Sequence, residues 1–512
     1  MKLLNIPDCS LGVVTDIAPE ELPLGAWTYA QNMRFKGGRA SAMRGMAQVF
    51  ASPAVAPYFL MPYQQAGFVY WVHAGLNAVY VDDGTTRTDI TGTAPTGTAD
   101  DRWTGGVLGG ALVLNNGVDV PMFWGGNTAL NLATLTGWDV NWRAGFVRPW
   151  RTFLLAGDIT KSGTRYPHML KLSDSAVPGA IPTSWDATNP ALDAVERDAA
   201  ATEDYLVDML PLGDMAIIYK QRSMYYMRET FDARVVELQR LPGDFGMLTR
   251  GCGVVTPVGH VVLSSGDVVV HQGQGAQSIA DDVVRRTIFA GIDATNYRRC
   301  FVTANPARSE VWVCYPESGQ TTCTRAAVWN WASGKWTFRS LPNLTHAAFG
   351  QLVATASSDI VDNRTELVDG SSSLVDASDA PPTDARMLVC NTTTIGVAEV
   401  SLVSDFGSAL SSYLERYGLP LAAEAEQVAT ITEVLPRIEA GNGTQITITA
   451  GAAMTPSGDY TFASPVTFTV GTDHKADVSF PTGRYGYLKL AGSGVDWTMR
   501  SLQINGEPAG VF

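Results

Sequence analysis

Long apolar runs, paired cysteines and basic charge are what this 512-residue chain has least of. No window approaches the roughly 18 consecutive apolar residues that a membrane-crossing helix needs, so stable membrane insertion is not expected. The opening Met1-Lys2-Leu3-Leu4-Asn5-Ile6-Pro7-Asp8 has no apolar stretch long enough for a secretory signal, and the expectation is a protein folded in a cytoplasm. The six cysteines (Cys9, Cys252, Cys300, Cys314, Cys323 and Cys390) include no C-x-x-C pair and no spacing that suits zinc. Cys314 and Cys323 fall where adjacent strands would face each other, which makes a disulfide conceivable. Cytosolic assembly favours reduced, packed thiols instead.

Basic residues number 36 against 50 acidic ones, a net charge of −14. A protein that grips nucleic acid by its phosphates is normally basic, so tight DNA binding is not expected. A surface that DNA slides past is compatible with this balance, and so is the plainer explanation that the charge serves solubility. The six histidines (His73, His168, His260, His271, His346 and His474) are scattered. His260 and His271 lie at opposite ends of one hairpin and approach each other, but no third ligand stands at a useful spacing, so no metal is expected. The glycines from Gly105-Gly106 to Gly109-Gly110, and Gly273-Gln274-Gly275, lack the strand–helix context and the lysine of a phosphate loop; they read as turns. Arg165 and the pair Arg285-Arg286 are small basic spots that read as solvated faces.

What is abundant points to β structure. The chain is 46% apolar and only 17% charged, with 50 Gly and 27 Pro, a balance that favours strands and turns over helix bundles. Val261-Val262-Leu263 and Val268-Val269-Val270 flank Ser264-Ser265-Gly266-Asp267, a hairpin with turn residues where a turn needs them. Residues 326–331 and 335–338 flank Ala332-Ser333-Gly334, with Trp329, Trp331 and Trp336 near the turn. Further strands are expected at 68–72 and 78–81, at 110–114 and 120–124 around Asn115-Asn116-Gly117, and at 205–209, 215–220, 224–228 and 235–239. Recurrence of such hairpins predicts an all-β chain with a β-propeller core of about six or seven blades and loop insertions. No fixed-period motif accompanies them.

This reading divides the chain into an extended N-terminal arm or platform (1–54), a propeller core (55–354, with an insertion at 157–204), an insertion or tip (355–426) and a C-terminal β segment returning to the core (427–512). A short helix is expected near 25–33 and another near 191–198. The arm is expected to be removable without unfolding the core.

A tryptophan-rich propeller also invites a glycosidase reading, which needs two carboxylates about 5–9.5 Å apart. Asp139, Asp186 and Glu310 lie near aromatics. The repeat Ser-x-Asp-x-Gly-x-x-Trp does not occur, and Ser264 to Asp267 and Ser333-Gly334-Lys335-Trp336 read as turns. No catalytic, cofactor-binding or metal-ligating residue is assigned.

The run Gln239-Arg240-Leu241-Pro242-Gly243-Asp244-Phe245-Gly246, then Gly253-Val254-Val255 and the hairpin to His271, resembles the tail nozzle proteins of short-tailed (podovirus) bacteriophages. So do Gln277-Ser278-Ile279-Ala280-Asp281, Glu310-Val311-Trp312 and Val328-Trp329-Asn330-Trp331. The opening Glu21-Leu22-Pro23, Gly25-Ala26-Trp27, Asn32-Met33-Arg34-Phe35 and Gly45, with Pro436-Arg437-Ile438 and Gly483-Arg484-Tyr485 near the end, is similar too. The resemblance covers most of the chain and is weakest at 355–425. It implies a β-propeller protein, also called tail hub or stabilisation protein, forming a homohexameric ring below the portal and its adaptor ring. It further implies a structural virion component without enzyme activity or cofactor, assembled in the bacterial cytoplasm. Its partners would be itself, the adaptor, tail fibres or tailspikes, a tail needle and duplex DNA in passage. The alternative from the residues is a propeller that binds or cleaves glycans.

Overall fold

The computed structural model describes residues 2–65, 68–232, 234–352, 385–400, 403–422 and 427–511. Five four-stranded antiparallel sheets follow one another along the chain: Phe59–Gln65 to Arg87–Asp89, Thr104–Leu108 to Ala133–Thr134, Trp142–Trp150 to Val195–Asp198, Leu206–Leu212 to Val236–Arg240, and Gly253–Thr256 to Ala276–Ser278. They are the first to fifth blades of a β-propeller. Each is a meander, because tight turns return the chain at once. Gly109 and Gly110, at φ +57° and +80°, make the two-residue turn of the second blade, a conformation that glycine adopts without steric cost. In the fifth blade the Ser264 amide donates to the Asp267 carbonyl at 2.8 Å, closing the expected turn.

A sixth meander, Phe301–Asn305, Glu310–Tyr315, Cys323–Asn330 and the 17-residue strand Lys335–Gln351, closes the ring. Phe301–Asn305 packs on the fifth blade's Gly253–Thr256, and Lys335–Gln351 packs on the first blade's Phe59–Gln65. This meander is not a separate sheet. The later part of Lys335–Gln351 pairs with Ala385–Asn391, and the sheet runs on to 15 strands. The blade count is therefore five separate sheets plus a shared one, against the six or seven expected.

The C-terminal segment adds no blade to the propeller. Gln427–Ala440 pairs with Trp497–Val511 in a seven-stranded sheet, while Gln445–Ala453 and Tyr485–Ser493 extend the 15-stranded one beside Ser411–Pro420. Ile431, Val434, Met499 and Ile504 of the first sheet share a buried cluster with Leu414, Ile446, Ile448 and Leu490 of the second. The result is a sandwich, a platform attached to the propeller by a common sheet.

Four other expectations are corrected. The supposed insertion at 157–204 begins and ends with blade: Phe153–Lys161 and Thr164–Leu172 are paired strands joined through Ser162 and Gly163 at φ +47° and +87°. The helix expected at 191–198 is instead the edge strand Val195–Asp198, leaving only 173–194 as an excursion. The N-terminal arm is built into the body. Lys2–Ile6 pairs with Trp497–Val511, Arg39–Ala42 pairs with that same strand, and Met46–Gln48 pairs with Ile395–Ala398. Where a helix was expected near 25–33, Tyr29–Gln31 is a strand between Lys335–Gln351 and Ser411–Pro420. Apolar Ala26, Trp27, Ala30 and Met33 follow helical spacing, and pairing partners on two sides override it in favour of the strand. The acidic loops at 359–369 and 376–384, candidates from the sequence to line a channel, lie outside the described residues.

The junction of propeller and platform is ionic. Arg339, with no exposed side-chain surface, lies 3.1 Å from Glu399 and 3.2 Å from Asp405, and its guanidinium stacks 4.8 Å from the Trp312 ring. Arg34 pairs with Glu310 on two atoms and with Glu399 at 3.2 Å; Arg308 reaches Glu399 at 3.7 Å from the rim. Burial alone would pull Arg34 down, but Glu310 and Glu399 hold it above the ordinary arginine range. Burial also raises the Asp405 carboxyl, against the pull of Arg339. Three cations thus meet three carboxylates.

Removing one partner of such a set leaves buried charge unpaired, at a cost of about 3–5 kcal/mol. Arg339→Ala is expected to lower unfolding free energy by that amount in denaturant titrations, whereas Arg39→Ala, at the exposed pair with Glu439, costs under about 1 kcal/mol. Equal effects would contradict the assignment. Deleting residues 1–30 removes Ile6, Val13 and Trp27, each 1% exposed. At roughly 1.5–3 kcal/mol per large apolar side chain this consumes much of a normal stability margin. The truncated chain is expected to be insoluble or to lose its near-ultraviolet dichroism; a folded truncation would restore the arm reading.

Candidate functional site

Among the described residues no group of three or more His, Cys, Asp or Glu is placed to hold a metal. All six cysteines are buried and free. Cys314 stands opposite Ala326 and Cys323 opposite Leu344, so the two do not face each other as a disulfide would require. The glycines at 105–110 lie in a blade strand and its turn. Arg165 pairs with Asp158 at 2.7 and 2.9 Å, and Arg285 pairs with Asp281 at 2.8 Å.

His260 and His271 are directly opposite across the fifth blade, and the fourth blade inserts Tyr219 between them. The roles of every atom follow from one end. His260 Nε2–H donates to the Pro211 carbonyl at 2.8 Å, so its Nδ1 accepts from the Tyr219 hydroxyl at 2.8 Å. Tyr219 Oη then accepts from His271 Nε2–H at 2.6 Å, and His271 Nδ1 accepts from the Gly273 amide at 3.2 Å. Both rings are neutral in this chain. Burial holds His260 below its ordinary value and brings His271 to about 4. The same burial raises Tyr219 well above the tyrosine range. The arrangement is a clamp between blades, with no free ligand position.

The carboxylates singled out in the sequence separate into two places. Glu310 is consumed by Arg34 in the junction network. Asp139 and Asp186 are brought together on the third blade, lining one cleft of about 610 Å³ with Trp142, Lys161, Lys171, Trp185 and Glu196. The strand Thr164–Leu172 and edge strand Val195–Asp198 place Lys171 opposite Glu196. Lys161 and Lys171 both donate to Glu196 at 2.8 Å, and their ammonium groups stand 4.7 and 4.9 Å from the Trp142 ring. Trp138 supports the wall, edge-on to Trp185 at 4.8 Å. The indole Nε1 of Trp185 is buried without a partner.

The electrostatics of this cleft favour the charged form of Glu196 and Asp186. Burial pushes Glu196 up, yet the two lysines override it and hold the carboxylate below its usual value. Asp186 is lowered by the Thr188 hydroxyl and amide. A glycosidase acid needs the reverse, a carboxyl kept protonated. Lys171 was missed from the sequence because the polar stretch around it reads as an insertion.

A second cavity, about 320 Å³, opens where the innermost strands of the blades begin; Arg102, Arg143, Asp158, Tyr205 and Arg250 are among its lining.

No family model matches the chain, and no curated protein matches it. Solved structures are similar to it in fold. The WD40 β-propeller domain of Doa1 is 9% identical with a TM-score of 0.37, over 70% of this chain and 98% of that one. The AfRom2 CNH domain is 8% identical with a TM-score of 0.36, over 70% and 99%. PorZ of Porphyromonas gingivalis is 8% identical with a TM-score of 0.34, over 76% and 44%. These likenesses carry no functional argument. Among the described residues no helix is long and apolar enough to cross a membrane.

The clamp sets a pH dependence. The unfolded chain takes up protons near the ordinary histidine value of 6.5, whereas folded His271 resists until about 4. The unfolded state therefore binds more protons in that window, and stability rises with pH. The clamp's contribution is whole above about 6.5 and lost as pH falls toward 4, a change on the order of 3 kcal/mol from His271. Urea midpoints are expected to fall between pH 7 and 4.5, and Tyr219→Phe to cost roughly 1–3 kcal/mol at pH 7 by leaving ring nitrogens unpaired. A flat profile with a silent Tyr219→Phe would contradict the chain of donors.

Proposed function

We propose that this protein is a structural virion component of a short-tailed bacteriophage: a tail nozzle ring that stabilises the DNA-filled head and forms the conduit for genome ejection. In this reading it has no enzyme activity and no cofactor. Its partners are further copies of itself, an adaptor ring, fibres or a needle, and DNA in passage. The resemblance carried by 239–271 and the tryptophan hairpin is one support. The observation that carries the reading furthest is the distribution of exposed apolar side chains. Leu130, Val140, Val177 and Phe231 project from loops of the second to fourth blades, and Met454, Phe462 and Phe480 from the platform. A closed ring needs two different patches per copy, each meeting the other on the next subunit.

The conduit of such a ring runs between subunits, not along one propeller axis. Arg148 spans three blades, pairing with Asp208 at 2.7 and 2.8 Å and donating to the Gly105 carbonyl at 3.1 Å. Asn115 donates to the Ala144 carbonyl at 3.0 Å. A wall that carries much of the −14 charge would add few counterion-linked grips on passing phosphates.

Solution mass tests the reading: with adaptor present, the protein is expected at about six times the 54.8 kDa chain, and Phe480→Asp should return it to single-chain mass. A chain that stays single at all concentrations, and is absent from tails, contradicts it. Binding to duplex DNA at physiological salt is expected to be weak; tight, salt-sensitive binding would overturn the slippery wall.

The tryptophan-walled cleft of the third blade favours a second reading, glycan binding without cleavage. There a Trp142→Ala variant would lose binding to host surface glycans while keeping its assembly. Absence of glycan binding by the wild type removes this reading and leaves the first intact.

A further inference from the structure

The cavity at the mouth of the propeller gathers charge of the sign the protein has least of. Its arginines come from four different places in the ring: Arg102 ahead of the second blade, Arg143 and Arg165 on the third, Arg250 ahead of the fifth, and Arg298 ahead of the closing meander. The carboxylates nearby are largely engaged. Asp158 is held by both nitrogens of Arg165, and Asp100 accepts from Arg299 at 2.7 Å. Asp101 accepts from the Thr98 amide and hydroxyl at 2.8 and 2.7 Å.

The remaining cations make no close ion pair among the described residues, although Asp119 lies near enough to Arg143, and Asp101 to Arg250, to act on them through space. Arg143 donates only to the carbonyls of Val118, Val140 and Trp142, which carry no full charge. Arg102 is 7% exposed and has one hydrogen bond, to the Thr345 carbonyl at 3.1 Å. Arg250 has no ion pair or hydrogen bond among the described residues. Its guanidinium lies against Gly117 so closely that a Cβ there would stand 2.3 Å from Nη1. Gly117 thus clears the floor under a cation that the fold leaves unpaired. Burial pulls Arg250 below the ordinary arginine range, with Asp158, Asp208 and Asp101 opposing from a distance.

We propose that this mouth is a binding site for an oxyanion of the phosphate class, held by the forked guanidiniums of Arg250 and Arg102. An arginine fork meets a phosphate on two parallel N–H···O bonds, and in a half-buried site it regains the solvation it has lost. A cavity of about 320 Å³ accommodates such a group with water around it. The anion is either free phosphate or the terminal phosphate of a nucleic-acid strand. The proposal does not depend on the ring reading.

Thermal unfolding of the full chain tests it, with inorganic phosphate titrated into chloride at constant ionic strength. A ligand that binds only the folded state raises the melting temperature with concentration. Wild type is expected to show a saturable rise. Arg250→Gln is expected to melt no earlier than wild type without phosphate, because an unpaired cation is gone, and to bind phosphate at least tenfold more weakly. Arg102→Lys, which keeps the charge and loses the fork, should fall between them. A 5′-phosphorylated trinucleotide and its unphosphorylated twin distinguish the sources: a stronger response to the phosphorylated one assigns the strand end, and an equal absence of response from both assigns the free anion. An equal rise in wild type and Arg250→Gln is a general salt effect and overturns the site. So does the absence of any saturable rise, or a lower melting temperature of Arg250→Gln in chloride, which would make Arg250 a structural residue.

Discussion

Arg339 is the constraint around which the rest of this structure is arranged. It sits on the strand Lys335–Gln351, whose first half completes the closing meander and whose second half carries the sheet onward to Ala385–Asn391. A fully buried guanidinium is tolerable only if each face finds a partner. Glu399 and Asp405 supply charge, the Arg44 carbonyl accepts at 2.9 Å, and the Trp312 ring covers the plane. Those partners come from segments far apart in the chain, so satisfying one side chain brings them together. Glu399 adopts φ +63° to do so, a left-handed backbone that a non-glycine residue rarely takes and that its ion pairs with Arg34 and Arg339 offset.

The same physics recurs at smaller scale between blades. Propeller sheets touch only their neighbours, so whatever joins adjacent innermost strands sets the rigidity of the ring. Apolar packing supplies most of the contact, and a few buried polar bridges fix the register: Arg148 between the second, third and fourth blades, and the Tyr219 clamp between the fourth and fifth. All are satisfied internally. The cavity at Arg250 departs from this pattern, because there a guanidinium has no direct partner and feels its carboxylates only from a distance. In a chain of −14 net charge that is the stronger reason to look for a ligand.

Local elements were legible and distant pairings were not. Asn115-Asn116-Gly117, Ser264 to Asp267 and Ala332-Ser333-Gly334 all fall at turns of the expected hairpins, since turn chemistry is fixed within four residues. The approach of His260 and His271 followed from the hairpin register, but Tyr219 comes from another blade and carries no sequence signal. The Lys2–Ile6 strand pairs with residues near the opposite end of the chain, and periodicity does not name a partner at that separation. For the same reason 427–512 read as more propeller when it builds a platform. That Asp139 and Asp186 line one cleft was not readable from the sequence, which placed each only near aromatics, and Glu310 was claimed by Arg34, a partner 276 positions away.

The central claim is that propeller and platform form one mechanical unit through the shared sheet and its buried network. Native-state hydrogen exchange tests it most directly, by comparing amides of Glu310–Tyr315 in the closing meander with those of Ser411–Pro420 in the platform. The account predicts that both sets open with the same free energy and that Arg339→Ala lowers both by the same amount. Platform amides that open while the meander keeps its wild-type protection would contradict it.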